Sequence, residues 1–418
     1  MELNELSGQV QVKLHQYCHK FKAAYNKPDF KFIRQMHYGI LKSGSVQLSS
    51  IGRSLSEGIS HKKTTERLGR HLGREGLWES ISESLLKHQR HYIRRCRYFV
   101  FDLSDISKRY AKKMEGLDRV HDGSADEISN GYWLSNVVGV DTEGDLLVPA
   151  YSELYSHNVE VTSENRKILE AIDRVSEWAD AESIYVLDRG GDRKELITPL
   201  LSGCKYFIIR QTGNRHLYYR GEKLEEKKIS RKVRLIYRFE VIKRRKNRLV
   251  KAVFRCGAVP VKLTEDGKKL YLVVVKEEGK GYCWLLCHLP CGSCEEAVRL
   301  AFQGYGHRWK IEEVHRQVKG DYHLEDICLQ RYHALKALNA LFWSAVSFLY
   351  TRLESLSKEI LFQPSLSLVK KNKLSELFGF IYYKLALGLR MILAGCRVYR
   401  ELFDPPDTDQ LALDLEGA

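Results

Sequence analysis

The chain has 418 residues, of which 44% are hydrophobic, and it carries a formal net charge of +15. This length allows two or three domains, and the hydrophobic share provides a sizeable core, which argues against a disordered chain. The positive charge indicates a polyanionic partner, either nucleic acid or a membrane surface.

A secreted or membrane-spanning protein is not expected. The first residues lack the basic start and apolar stretch of a signal peptide. The most apolar segment, residues 334–350, is short for a bilayer span and is interrupted by Lys336, Asn339 and Ser344. We therefore predict a buried core helix there.

Residues 1–96 are predicted to form a helical domain. Residues 45–55 have helical periodicity, Gly58 begins a turn, and Ser60 is placed to cap a second helix that carries four lysines and arginines. Two short helices joined by a glycine-containing turn are typical of a helix-turn-helix DNA-binding unit. An ordinary helical bundle explains the pattern equally well.

Two short apolar runs further along each end in an aspartate, Asp102 and Asp188. Continuous aromatic and β-branched runs are typical of buried strands, and sites in open α/β sheets form at the carboxyl ends of strands. An isolated aspartate there would more commonly end a strand in a turn or cap a helix. Two further strands and a helix are predicted between them, at residues 131–140, 146–155 and 163–179.

Residues 205–281 alternate apolar and basic residues and include the run Lys243, Arg244 and Arg245. The alternation predicts a β-rich segment, and its cations fit contacts with a DNA backbone. A solvated basic hairpin is the alternative for any one of these residues.

Four cysteines follow closely on one another, at positions 283, 287, 291 and 294. Only the last two have Cys-x2-Cys spacing, and no second such pair accompanies them, so a strand is favoured over a zinc site. The scattered use of cysteine indicates a reducing cytosol.

One predicted helix carries a carboxylate among cations. At about 100° per residue, its polar residues fall within an arc of roughly 60°, opposite an apolar face. The polar set is Tyr305, Arg308, Glu312 and Lys319, and the apolar set is Ile311, Val314 and Val318. The polar face suggests a metal ligand beside a phosphate-bearing substrate, with an exposed salt-bridged helix as the alternative.

The spacing Tyr-x2-Arg-x3-Glu-x6-Lys from residue 305 resembles the Y-R-E-K signature of DDE transposases of bacterial insertion sequences, in the group named after insertion sequence four. Residues 102–106 are similar to the family's first-aspartate strand, with Ser104 where threonine is usual. Residues 188–192 are similar to its second-aspartate turn. Asp105 and Asp192 are the competing carboxylates, with orienting roles expected for both.

The resemblance implies an α/β fold, in which an RNase H-like catalytic domain is interrupted by a β-rich insertion and flanked by helical N-terminal and C-terminal regions. The expected boundaries are 1–96 for the N-terminal DNA-binding domain, 97–209 and 283–326 for the two parts of the catalytic domain, 210–282 for the insertion and 327–418 for the helical C-terminal region.

The resemblance also implies that Asp102, Asp188 and Glu312 are catalytic and hold two Mg²⁺ (or Mn²⁺) ions, which suits carboxylate oxygen ligands. It implies phosphate contacts for Arg308 and Lys319, with Tyr305 packing or hydrogen-bonding beside them. The resemblance further implies that Trp284, at the edge of the insertion, stacks on a base flipped out of the duplex; burial in an apolar strand is the alternative.

The implied activity is metal-dependent DNA cleavage and strand transfer at terminal inverted repeats, by two copies of the chain acting together in the bacterial cytoplasm, at the nucleoid. The alternatives are an RNase H-like nuclease that cuts without strand transfer, and a DNA-binding repressor derived from a transposase. The three intact carboxylates argue against the repressor.

Overall fold

The computed structural model describes residues 3–122, 126–141, 146–245, 248–361 and 381–395. Within this part, the chain begins with five helices: α1 (Leu3–His19), α2 (Lys27–Ser43), α3 (Leu48–Leu55), α4 (His61–Leu72) and α5 (Leu77–Arg95). The expected helical N-terminal region is therefore present.

Side-chain caps and one glycine set the helix ends in this region. The Asn26 side chain accepts a hydrogen bond from the backbone N–H of Asp29 at 2.9 Å, and α2 ends at Gly44, whose φ of 59° is left-handed. The Ser60 hydroxyl accepts from the backbone N–H of Lys63, so the predicted cap of α4 is confirmed.

The rest of the described chain forms one large sheet, a small hairpin and further helices. The strands are β1 (Cys96–Ser107), β2 (Asp118–Asp122), β3 (Glu127–Asp141), β4 (Leu147–Tyr155), β5 (Ile184–Leu187), β6 (Tyr206–Arg210), β7 (His216–Tyr219), β8 (Glu222–Glu225), β9 (Tyr237–Arg245), β10 (Arg248–Val261), β11 (Leu270–Glu277) and β12 (Tyr282–His288).

The centre of the large sheet has the order β4-β3-β1-β5-β6. Strands β4, β3 and β1 pair antiparallel, while β1 pairs with β5, and β5 with β6, in parallel. Parallel neighbours need a crossover, and helices α6 (Glu164–Ser176) and α7 (Lys194–Ser202) supply it. This mixed α/β arrangement is the RNase H-like fold expected from the sequence.

The β-rich segment extends the same sheet. Strand β12 pairs antiparallel with β6, and β11, β10 and β9 follow in order to the sheet edge. Strands β7 and β8 form a separate hairpin beside a short helix, α8 (Glu226–Ser230). Because β6 is the shared partner, the segment is continuous with the central strands through main-chain hydrogen bonds.

Alternation along the strands assigns side chains to two core layers. Tyr98 and Val100 of β1 belong to one layer, whereas Phe99 and Phe101 belong to the other. The first layer packs against α9 (Cys294–Gly306) and α10 (Arg308–Asp321), and the second against α6 and α7. Even-numbered residues of β1 therefore face α10.

The chain continues into helices α11 (Tyr332–Thr351), α12 (Ser357–Leu361) and α13 (Tyr382–Ala394). Helix α11 is buried on all sides, as predicted for a core helix. No helix in the described ranges combines the length and apolar character needed to cross a membrane. The region 327–418 was expected to be helical, and its residues 362–380 and 396–418 lie outside the described residues.

Candidate active site

Asp102 on β1 is level with Asp188, the residue that directly follows the adjacent parallel strand β5. Val100 of β1 pairs with Val186 of β5, and each aspartate lies two residues beyond its valine. Two residues along a strand return to the same face, so both side chains point toward α10. Contrary to expectation, β1 does not end at Asp102 but continues to Ser107, because its pairing with β3 runs on past the end of β5.

Glu312 is brought to this edge by α10. The predicted buried face of this helix is confirmed, since Ile311, Val314 and Val318 are at most 2% exposed. The prediction of one continuous helix from Tyr305 to Lys319 is wrong, because α9 ends at Gly306 and α10 begins at Arg308.

The close approach of α9 to the sheet accompanies this break. A Cβ at Gly304 would lie 2.6 Å from side-chain atoms of both Ile208 and Tyr98. Only glycine allows the end of α9 to lie this near the strands. Helix α10 then starts after His307, with Arg308 as its first residue.

Arg308 links two of the three carboxylates. Its guanidinium pairs with Glu312, and its Nη2 lies 3.3 Å from Asp188 Oδ2. Burial raises the pKa of Asp102 to about 7; Arg308 opposes this shift, and the charges of Asp188 and Glu312 add to it. Arg308 thus contacts Glu312 and Asp188, and Asp102 lies within electrostatic range of all three.

The donor chemistry of this cluster fits a divalent cation. Three carboxylates supply only oxygen, which Mg²⁺ and Mn²⁺ prefer, and like charges held together need a cation. In the structure, Arg308 supplies that positive charge. Across the described residues, no three His, Cys, Asp or Glu side chains stand in a ready ligating arrangement, the four clustered cysteines included.

Lys319 lies on the same side of α10 but already has acidic partners. Its Nζ is 3.1 Å from Asp105 Oδ1 and 3.3 Å from Glu325 Oε1. The ion pair with Asp105 ties the far end of β1 to α10. Asp105 is therefore a support for the cluster rather than a member of it, as its position after Asp102 suggested.

Asp192, the other competing carboxylate, also has a supporting place. It accepts hydrogen bonds from the backbone N–H and hydroxyl of Thr212, at 3.0 and 2.9 Å, and pairs with Arg215 at 2.5 Å. These contacts hold the segment after β6 against the turn that follows Asp188.

Tyr305 and Arg210 form a pair that the sequence analysis missed. Arg210 Nη1 donates to the Tyr305 hydroxyl at 3.5 Å, and burial raises the pKa of Tyr305. Arg210 ends an apolar strand, as Asp188 follows one. A search for charged residues of either sign at the ends of apolar strands would therefore have found Arg210. The pair adds a second guanidinium beside Arg308.

His315 was also missed, although it lies one turn after Glu312. Its Nδ1 is 3.7 Å from Asp102 Oδ2, and its Nε2 is 2.9 Å from the Asn136 side-chain nitrogen. Burial, then the charges of Lys319 and Arg308, lower the pKa of His315 to about 3. The imidazole is therefore neutral near pH 7.

Trp284 lies on β12 at the same edge of the sheet, where its carbonyl accepts from the backbone N–H of Gln211 at 2.9 Å. Its side chain is partly buried, and the indole Nε1 is buried without a hydrogen-bond partner. The ring covers Gly213, where a Cβ would lie 2.8 Å from it. The expected open aromatic face is largely covered in this structure.

The basic run of the β-rich segment lies on β9, at the sheet edge. Lys243 Nζ is 3.1 Å from Glu277 Oε2 and lies over the Phe254 ring at 4.4 Å. The backbones of Arg244 and Arg245 pair with β10, and their side chains lie outside the described part. Part of the charge in this run is thus neutralised within the protein.

The α3–α4 unit presents cations on its second helix. Lys62, Lys63 and Arg70 are exposed, whereas Arg67 pairs with Glu57 at 2.7 Å. The predicted pair of short helices is present, and an exposed basic helix can contact a nucleic-acid backbone.

Comparison with known proteins gives one family. The family model described as transposase DDE domain matches residues 119–345, more than half of the chain. The match includes Asp188 and Glu312 but begins after Asp102, whose placement in the cluster comes from strand register. No curated protein matches the chain.

Proposed function

This chain belongs to the transposase DDE domain family, and we propose that it is the transposase of an insertion sequence of the insertion-sequence-four group. Its substrates are the terminal inverted repeats of the element and a target DNA. The observation that carries the proposal is the gathering of Asp102, Asp188 and Glu312 around Arg308 at one edge of the sheet.

Asp102, Asp188 and Glu312 are the residues that would hold two Mg²⁺ or Mn²⁺ ions, which supply a water nucleophile at neutral pH and neutralise the charge of the scissile phosphate. The protein's own task is positioning and electrostatic stabilisation. Arg308 and Arg210 provide two planar guanidinium groups, which match the oxygens of a phosphate. Tyr305 fixes the direction of Arg210 through its hydroxyl.

Two displacements follow at this site. In the first, a water oxygen bonds to the scissile phosphorus and gives up a proton to solvent, and the bond to the 3′ oxygen breaks, after which that oxygen takes up a proton from solvent. This step leaves a 3′-OH on the element and a 5′-phosphate on the flanking DNA. In the second, the 3′-OH oxygen bonds to a target phosphorus, and the target's own 3′ oxygen leaves with the proton.

Lys319 has a revised place in this proposal. Because its ammonium already pairs with Asp105 and Glu325, it holds α10 to the end of β1. Arg308 is likewise paired, with Glu312 and Asp188, so the phosphate contacts proposed for Arg308, Arg210 and Lys319 require these ion pairs to open when DNA binds.

The remaining features supply DNA binding. The net charge of +15 favours a polyanion. The exposed cations of α4 contact the terminal repeat, and the basic edge at β9 contacts DNA backbone near the cut. Two copies of the chain bridge two element ends, at the nucleoid of a bacterial cytoplasm.

The test uses end-labelled DNA that carries the sequence flanking the reading frame, with Mg²⁺ and an unlabelled target. We expect the purified protein to nick the element end and to join it to the target, and Glu312→Gln to abolish both reactions. The neighbouring Glu313 pairs with Arg316 on the same helix, so Glu313→Gln is the matched control and should retain both.

Three other outcomes would contradict the proposal. Cutting without joining would identify a nuclease without strand transfer. Specific binding without cutting would identify a repressor. Equal activity of the Glu312→Gln and wild-type proteins would remove the proposed site while leaving the family assignment in place.

A further inference from the structure

A partly buried histidine connects two catalytic elements that are far apart in the chain. His315 lies on α10, three residues after Glu312, and its ring reaches across to the β1–β3 pair. There it meets Asp102 on one strand and Asn136 on the next. These two residues are directly opposite each other in the antiparallel register.

The surroundings of the ring decide which nitrogen carries its proton. The side-chain nitrogen of Asn136 lies 2.9 Å from Nε2 and, as a donor, makes Nε2 the acceptor. With Nε2 as the acceptor, the ring N–H is on Nδ1, which faces Asp102 Oδ2. The reverse arrangement would set a nitrogen lone pair against a carboxylate oxygen.

We propose that His315, held in this tautomer by Asn136, is a positioning residue that orients the Asp102 carboxylate toward Asp188 and Glu312. The 3.7 Å separation from Asp102 exceeds a hydrogen bond, and such contacts in catalytic sites commonly shorten when the reacting groups are bound. The inference rests on the proposed function, since it gives Asp102 a ligand's role.

Two features favour orientation over simple core filling. His315 contributes a polar ring on the inward side of α10, where Ile311, Val314 and Val318 are buried together with the polar Gln317. Asn136 is 1% exposed, and its amide oxygen has no hydrogen-bond partner. The polar contact of this side chain with the His315 ring is therefore made by its amide nitrogen. Outer partners of this kind commonly fix the direction of ligating carboxylates.

The experiment measures Mn²⁺ binding to the full-length protein by electron paramagnetic resonance, without DNA, and melting temperature beside it. The variants are His315→Ala, His315→Asn and Asp102→Asn. Asparagine places an amide nitrogen near the position of Nδ1 and so keeps a donor toward Asp102. The matched control is His333→Ala, since His333 is exposed on α11.

We expect His315→Ala to weaken Mn²⁺ binding by about 10- to 100-fold. His315→Asn should recover most of that loss, and His333→Ala should bind as the wild type does. A purely structural role would lower the melting temperature of both His315 variants without this difference in affinity.

The inference is overturned if folded His315→Ala binds Mn²⁺ within about twofold of the wild type while Asp102→Asn binds weakly. If Asp102→Asn binds like the wild type, the proposed metal-holding role of Asp102 fails, and the inference fails with it. If His315→Ala does not fold, the same measurement is made on Asn136→Leu. Weaker Mn²⁺ binding by Asn136→Leu supports the inference, and unchanged Mn²⁺ binding overturns it.

Discussion

Replacing Asp102 by asparagine should stabilise the metal-free protein at alkaline pH. Burial, only partly offset by Arg308, raises the pKa of Asp102 from 3.8 in the unfolded chain to about 7. The folded state therefore resists ionisation of this group. An asparagine at this position would have no proton to lose, so the variant escapes this cost.

The magnitude follows from the shift. A difference of about three pKa units corresponds to about 4 kcal/mol in the free energy of unfolding once both states are ionised. One fifth of the Asp102 side chain is exposed, and solvent screens its charge. We therefore expect half of that free-energy difference, about 2 kcal/mol.

The sign depends on pH. Below about pH 4 the Asp102 carboxyl is protonated in both the folded and the unfolded state, so its shifted pKa does not lower the free energy of unfolding of the wild type. As the pH rises from 4 to 7, only the unfolded chain loses the proton, so the wild type loses stability relative to the variant. Above pH 7 the difference is complete.

Urea unfolding in EDTA at pH 5 and pH 8 measures the effect. We expect Asp102→Asn to exceed the wild type clearly at pH 8 and much less at pH 5. Asp173→Asn, at an exposed position on α6, is the control and should show no pH-dependent gain. A variant no more stable than the wild type at pH 8 would refute the burial argument.

Three further predictions concern DNA. Asp188→Asn should abolish nicking in Mg²⁺ and leave binding to the terminal repeat intact in a gel-shift assay; equal loss of both would indicate misfolding. Replacing Lys243, Arg244 and Arg245 together by alanine should weaken DNA binding and flatten its salt dependence by up to about one slope unit per lost phosphate contact. An unchanged slope would show that these residues do not contact DNA phosphates. Trp284→Ala should lower the melting temperature, because the ring packs over Gly213. An unchanged melting temperature, with loss only of a DNA hairpin formed when the freed 3′-OH attacks the opposite strand, would instead assign the ring to base stacking.

The residues of the carboxylate cluster could be predicted because the signal for each lies in its own short stretch of sequence. Asp102 and Asp188 interrupt strand patterns with charge, and an alternation of two assigns both to one face of the sheet. The direction of the Glu312 side chain follows from the spacing of the apolar residues on its helix, and the structure buries those apolar residues as expected. The cap at Ser60 was predictable for the same reason.

Features that depend on distant neighbours could not be predicted. The break at residue 307 leaves the local helical period intact and is linked to the contact of Gly304 with Tyr98, about 200 positions away. Lys319 and His315 had suitable chemistry, but their partners Asp105 and Asp102 become neighbours only through the fold.

The shared sheet has a consequence for synthesis. Strand β6 receives its second neighbour only from β12, roughly 70 residues later, which takes about 4–14 s at 5–20 residues per second. During that interval the emerging chain presents an apolar strand with an open edge, the kind of template that other chains can join. We therefore expect slow translation through residues 211–281 to favour aggregation, and deletion of residues 211–288, β12 included, to leave β6 permanently unpaired on one edge next to Asp188.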